Sequence, residues 1–467
     1  MRRVKTADVL TPPHALSLAE LASAIRDGRL RAVEAVTDCL ERIAVRDGEV
    51  LAWACLDPEH ALSQARALDA RRAEGQAIGP LHGVPIAIKD IFDTGDMPTE
   101  FGSALYRGRT PRRDAACVAR LRAAGAVIMG KSVTTEFAYM TAGKTQNPHD
   151  PGRTPGGSSS GSAAAVAASM VPGAIGSQTN GSIIRPASFC GVVGFKPTHG
   201  LIPRTGALLL SRALDHVGVF ARSVEDAALL AEVMAGHDAD DPDTRPQAVP
   251  PLSAVAAEEP PLPPRFAFAR TAMWDQADPA TRRAFAELIA FLGDSITEVA
   301  LPAVADHVVD LHATIMEVEM AHNLRQEYLD GRDALSPGLC QQIERGHAHR
   351  AIDYRRALDL APRIAAAFDD IFNEYDAILT PAATGEAPKG LHSTGSPVFC
   401  TVWTYLGLPA VTLPLLQGVA GLPIGVQLVG RRDYDARLLR TARWLARRIA
   451  QPAKRTSTKP APRRAAR

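Results

Sequence analysis

Residues 156–182 read GGSSSGSAAAVAASMVPGAIGSQTNGS, and the fold follows from how this stretch divides. Residues 159–170 suit a helix whose Ala and Ser face lets a neighbouring backbone approach closely, which points to a central position. Pro172 and Gly173 end it, and GAIGSQT at 173–179 has the length and apolar character of a buried strand. A loop, NGSIIRP, follows. A buried strand running into a glycine-rich loop is where α/β proteins tend to place their chemistry.

Upstream, VPIAIKD after Gly83 is a second short apolar strand, and a helix is expected from Asp114 to Gly125. AVIMG is a third strand. Ser17-Leu-Ala-Glu20 is a capping box opening a helix that Gly28 stops, and residues 31–46 and 60–74 repeat the helical period. Residues 1–75 therefore read as an N-terminal helical region packing on the core. Downstream, a helix is expected over 223–236, and the Asp- and Pro-rich residues 237–264 read as a surface loop. RFAFAR and SITEVAL are strands flanking a helix over 278–292. Residues 306–373 are nearly continuous helical pattern, broken near Ser336-Pro337-Gly338. Strands return at AILTPA, AVTLPLL and GVQLVG, closed by a helix over 434–449. The expectation is an α/β fold with one large domain over 76–450, a central mixed sheet flanked by helices, and a helical insertion at about 303–375.

The chain has 467 residues, 46% hydrophobic and 22% charged, as in ordinary globular proteins, which excludes a mostly disordered chain. Net charge is +1, but residues 451–467 hold six of the 52 basic residues and no acidic one, so residues 1–450 carry −5. The tail reads as disordered. The balance gives no basic field for nucleic acid. Six scattered cysteines without a CxxC pair, and an N-terminus lacking the apolar run of a secretory signal, point to a reduced, cytoplasmic protein. No apolar run is long enough to span a membrane.

Three patterns compete for the chemistry. Gly125-AVIM-Gly130-Lys131-Ser132 matches GxxxxGK[ST] formally, but its interior is four apolar residues suited to a buried strand and not to cradling phosphate. Gly157-Ser158-Ser159-Ser160-Gly161 matches the GxSxG elbow of α/β-hydrolases, yet a loop precedes it where an elbow needs a strand, and such serines often act only as helix caps. The third is a constellation of Lys89, the run 156–161 and the run 176–191. His347 and His349 form an HxH without a second ligand cluster and read as a solvated helix end, not a metal site. His199 and His216 read as core or rim residues. Met316, Glu317, Glu319 and Met320 read first as helix packing.

The constellation resembles the amidase signature family through GGSSSGSAAAVAA, NGSIIRPASFCGVVGFKPTHG, LPAVTLPL and GLPIGVQLVG, all in the family's order from about residue 17 to 450. The resemblance implies a Ser-cisSer-Lys triad, with Lys89 as the lysine, Ser158 as the serine behind a cis peptide bond and Ser182 as the nucleophile. It implies a cofactor-free, metal-free amide hydrolase forming an acyl-enzyme. A lysine buried against VPIAI loses its charge more readily and can accept a proton. Asp90 is adjacent, but on a strand its side chain points to the opposite face. Ser158 can relay a proton between Ser182 and Lys89, and the backbone N–H groups of Thr179, Asn180, Gly181 and Ser182 can converge on a developing oxyanion. Tyr139, Met140, Gln178, Met316 and Trp403 are the expected substrate contacts, Met316 because the insertion walls the substrate funnel in similar proteins.

The chain departs from the family pattern at three places. Gln178 replaces a frequent Asp, Asn180 a frequent Gly, and Ile184 an arginine, with Arg185 one place later. Losing an acid and a base together reads as a replaced supporting pair and not as a dead site. Asn180 either narrows the loop or meets substrate. The TNGSI loop is similar to that of family amidases acting on urea-derived compounds such as carboxybiuret. The expected partner is a small-molecule amide, linear or urea-derived, with no nucleic acid, no membrane and a homodimer left open. Two alternatives stand beside this reading: the amidase-like subunit of a glutamine-dependent tRNA amidotransferase, and a catalytically silent binding protein on the same fold.

Overall fold

The computed structural model describes residues 11–451. The basic tail expected to be disordered lies, apart from Gln451, outside the described residues. Eleven strands form one mixed sheet: β1 (Trp53–Leu56), β2 (Pro85–Lys89), β3 (Val127–Ser132), β4 (Gly173–Gln178), β5 (Val193–Lys196), β6 (His216–Ala221), β7 (Phe266–Ala269), β8 (Ile296–Val299), β9 (Ala377–Pro381), β10 (Ala410–Gln417) and β11 (Pro423–Val429). Their spatial order is β1-β3-β2-β4-β6-β5-β10-β11-β9-β7-β8. β2 runs parallel to both β3 and β4, and β7 parallel to β8 and β9; the remaining pairs are antiparallel.

The sheet is buried on both faces, and its period-two alternation divides the apolar residues between two layers. Ile86 and Ile88 enter the core beneath the helices Ala116–Ala123 and Val224–Met234, while Ala87 between them enters the core with the helices Ala32–Val50 and Ser160–Ala167. A third apolar cluster joins the helices Val308–Asn323, Ala351–Ala367 and Val398–Tyr405.

The helix Ser160–Ala167 is as central as its composition suggests. Its first residues press against neighbouring backbone: a Cβ at Gly161 would overlap Ala52 O and Val133 N, so only glycine lets the helix start there. The capping box at Ser17 and Glu20 forms, with Ser17 Oγ accepting from Glu20 N at 3.2 Å.

Several expectations need correction. The N-terminal region is not purely helical: β1 is an edge strand of the sheet, its four residues too few for a periodic signal. The Asp- and Pro-rich stretch contains a short helix, Leu252–Ala257, anchored by wholly buried Leu252 and Ala256. NGSIIRP is loop only as far as Ile183, because Ile184–Cys190 is a buried helix that tolerates Pro186 in its first turn. Five helices and two short 3-10 turns, Ala303–His307 and Arg332–Ala334, fill the chain between β8 and β9. Gly125–Ser132 is strand β3 and the turn before it, with Lys131 buried and donating to Phe92 O at 2.6 Å, which rules out a phosphate loop there.

Candidate active site

β2 and β4 are parallel neighbours with Ile88 opposite Ile175. Their C-terminal ends therefore deliver Lys89 and the chain beyond Gln178 to one edge of the sheet, the position that the open-sheet rule favours for a site. The loop before the helix Ser160–Ala167 closes over that edge with a cis peptide bond between Gly157 and Ser158.

Lys89 is fully buried, and its Nζ is hydrogen-bonded to Ser158 Oγ at 2.7 Å and to Ser177 Oγ at 2.8 Å. Burial drives its pKa well below the usual lysine range, opposed only by the charge of Asp215. Asp90 is not its partner: that carboxylate faces Lys131 at 3.6 Å. Ser158 is also buried, whereas Ser182 opens onto a cavity of about 190 Å³. No hydrogen bond from Ser182 Oγ occurs among the described residues. The two serine loops are instead tied through Arg185, whose Nη2 donates to Gly157 O at 2.6 Å.

The Thr179–Ser182 loop is anchored from outside. Thr179 Oγ1 donates to Asp215 Oδ1 at 2.6 Å, and His312 Nε2 meets Thr179 O at 2.9 Å. A carbonyl only accepts, so Nε2 carries the proton, and burial holds His312 neutral with a pKa of about 4. Thr404 Oγ1 donates to Asn180 O at 2.6 Å and accepts from Gln178 Nε2 at 2.9 Å. Thr401 Oγ1 bonds Asn180 Oδ1 at 2.9 Å. Among the described residues, the backbone N–H groups of Asn180, Gly181 and Ser182 have no protein acceptor and remain free for a ligand oxygen.

Of the expected substrate contacts, Tyr139, Met140 and Met316 line the cavity, as do Thr179, Asn180, Gly181 and Ser182. Gln178 and Trp403 do not. Gln178 is wholly buried, and its Oε1 accepts from Ile183 N at 2.8 Å and Ile184 N at 3.0 Å, a carboxylate-like role in the helix start. Trp403 is wholly buried and packs edge-on against Phe368, with ring centroids 5.8 Å apart. Its helix is buried all round, and Thr401 and Thr404 on it serve the site instead.

The competing motifs resolve structurally. Ser159 is buried, and its Oγ bonds the backbone of Ser177, leaving no exposed nucleophile at an elbow. His349 pairs with Glu317 at 2.7 Å, and no cluster of three or more His, Cys, Asp or Glu able to hold a metal occurs among the described residues. Sequence reasoning missed Ser177, Arg185, Asp215, His312, Thr401 and Thr404 as parts of the site. Only Ser177 and Arg185 lie inside recognisable motifs; the others arrive from distant elements, and nothing local marks them.

The family model described as Amidase matches residues 34–439, and the chain belongs to this amidase signature family. Among its relatives, a glutamyl-tRNA(Gln) amidotransferase subunit from Symbiobacterium thermophilum is 36% identical over 479 residues, covering 93% of this chain and 97% of that protein. Among solved structures, a chain from a vestigial protein complex that reveals the evolutionary origins of an s-triazine catabolic enzyme superposes with a TM-score of 0.86 at 32% identity, covering 92% of this chain and 98% of that one. The native peptide amidase of Stenotrophomonas maltophilia superposes with a TM-score of 0.80 at 28% identity, covering 94% and 98%. Among the described residues, no helix is long and apolar enough to cross a membrane.

Proposed function

We propose that the protein hydrolyses the amide bond of a small molecule through an acyl-enzyme on Ser182. The observation that carries this reading is the fully buried, charge-averse Lys89 hydrogen-bonded to Ser158, at the same sheet edge as a cavity-lining Ser182 and the unpaired backbone N–H groups of its loop. Ser182 Oγ attacks the carbonyl carbon while its proton passes through Ser158 to the neutral Lys89 amine. The oxyanion takes hydrogen bonds from the N–H groups of the Asn180–Ser182 loop. Collapse of the tetrahedral centre breaks the C–N bond, and Lys89 returns the proton through Ser158 to the leaving nitrogen. Water then attacks the ester by the same route, giving the carboxylic acid and free Ser182.

A serine-directed fluorophosphonate should label Ser182, and a panel of aliphatic, aryl, peptide and urea-type amides should release ammonia or amine. Ser182→Ala should abolish both, and Lys89→Ala should lower turnover by about 10²-fold or more with the fold intact. Labelling at Ser159, or wild-type turnover by Lys89→Ala at neutral pH, would refute the assignment. The 36% identity to an amidotransferase component supports a second reading, in which the same site hydrolyses glutamine and passes ammonia to partner subunits. Ammonia release by the purified chain alone separates the first reading from the second, which requires copurifying partners.

A further inference from the structure

Two segments that line the cavity beside Ser182 are fastened to a single carboxylate. Asp215 ends the turn that leads into β6 and is buried. Its Oδ1 accepts from Thr179 Oγ1 at 2.6 Å, and its Oδ2 accepts from the backbone N–H groups of Leu210 at 2.8 Å and Ser211 at 3.0 Å. Thr179 belongs to the loop that carries Ser182, and Leu210 is a separate part of the cavity wall. Three donors on two oxygens are the partner set of an ionised carboxylate. Burial pushes the Asp215 pKa up to about 6 against those donors and the charge of Arg204, so the group is still negative at neutral pH. Arg204, from the chain between β5 and β6, is itself held elsewhere: Nε and Nη2 pair with Asp241, Nη2 also with Asp243, and Nη1 donates to Arg212 O at 2.6 Å. His216, next in the chain, is buried and held neutral, with Nδ1 donating to Leu214 O at 2.7 Å. Glu319, on the helix Val308–Asn323, is engaged by Ser211 Oγ and by Ala213 N. Around Lys89, Ser158 and Ser177 carry no charge, and Lys131 on the neighbouring strand turns away to Asp90 and Phe92 O. Among the described residues, Asp215 is the charge that bears on Lys89.

We propose that Asp215 is a positioning residue for the reaction: its carboxylate fastens the Thr179–Ser182 loop to the Leu210 wall and stands as the counter-charge to Lys89 when that amine takes up the proton of Ser182. This rests on the hydrolase reading above and adds to it the group that steadies the other three. A lysine accepting that proton becomes an ammonium in an interior that disfavours charge. A carboxylate already fixed nearby stabilises the new charge without having to reorganise, and low polarity strengthens the effect. The same carboxylate holds Thr179 directly before the N–H groups that face the oxyanion, so loop geometry and proton affinity depend on one side chain.

The test separates charge from shape. Asp215→Asn keeps the hydrogen bonds: the amide oxygen can accept from Leu210 N and Ser211 N, and the amide nitrogen can donate to Thr179 Oγ1, which accepts as readily as it donates. Arg204 retains Asp241 and Asp243. With a neutral amide as substrate, the acid limb of the kcat/KM profile should move to lower pH by about one unit or more, because the charge that favours the ammonium is gone. The plateau kcat should fall about 10-fold or more with KM little changed. Thr179→Val keeps the charge and breaks one bond to the loop, so it should lower kcat and leave the acid limb at its wild-type pH. The rate of fluorophosphonate labelling of Ser182, followed against pH, reads the same limb without a leaving group. An Asp215→Asn limb that superposes on the wild type, or wild-type kcat from Thr179→Val, would overturn the inference while leaving the hydrolase reading in place. If thermal unfolding shows that Asp215→Asn does not fold, the Thr179→Val kcat decides. Failure of the wild type to label at Ser182 would overturn both.

Discussion

Lys89 owes its proposed reactivity to where its amine ends, not to a neighbouring base or acid. Removing an ammonium from water disfavours its charged form, and only Asp215 opposes that effect. Below the ordinary lysine pKa near 10.5 the unfolded chain holds a proton that the folded chain releases. Folding stability from this group is therefore complete above that pH and falls as pH drops, until the depressed folded pKa is passed. Activity follows the same proton. We expect kcat/KM to rise as Lys89 deprotonates and to reach a plateau well below pH 10.5, measured as a pH profile with a neutral amide. Lys89→Arg, which stays protonated across that range, should have no active plateau. A wild-type profile still climbing at pH 10 would remove Lys89 from the proton path.

At the scale of elements, the Thr179–Ser182 loop, which carries the proposed nucleophile, is a short irregular segment held by helices distant in sequence. The helix Val398–Tyr405 does this with Thr404, whose hydroxyl bridges Asn180 O and Gln178 Nε2. Thr404→Val keeps the volume but leaves both groups unpaired in a buried place. The expected cost is about 2–4 kcal/mol of stability, read as a lowered Tm, together with a fall in kcat larger than any change in KM. Unchanged kcat with lowered Tm would show that the helix supports the fold and not the loop geometry. The helix Val308–Asn323 contributes His312 to the same loop. The helical insertion, which also packs on the helix Val398–Tyr405, thereby reaches the loop at the sheet edge.

Across the whole molecule, the site depends on close approach between the helix Ser160–Ala167 and the sheet. Glycine at 161 permits that approach, with its N–H donating to Val133 O at 3.0 Å. Gly161→Ala should force the Ser158 loop away from Lys89 and destabilise the chain by several kcal/mol, at least ~3, since backbone and not a flexible side chain occupies the space. Thermal unfolding and fluorophosphonate labelling should both be impaired. Normal labelling in a stably folded Gly161→Ala protein would show that the helix start can move without cost to the site.

The fold class was legible because buried strands such as VPIAIK and GAIGSQ announce themselves as short apolar runs, and because small residues at 160–167 have few uses other than close packing. Lys89, Ser158 and Ser182 could be singled out as the proposed triad because each lies in a motif carried by continuous chain. The edge strand at 53–56 was not, since four residues give no period to read. Trp403 was misplaced because an aromatic on an apolar helix looks the same from either side until the neighbouring helices fix its face. Local sequence thus determined the longer apolar strands and which residue types stand at their ends, but not the strands Trp53–Leu56, Val193–Lys196 and His216–Ala221. Only the folded chain decided which distant side chains anchor the Thr179–Ser182 loop and that Arg185 ties it to the loop carrying Ser158 through Gly157 O. Pairings such as Thr404 with Asn180, 224 residues apart, leave no trace in local pattern, because burial and electrostatic balance belong to the assembled interior.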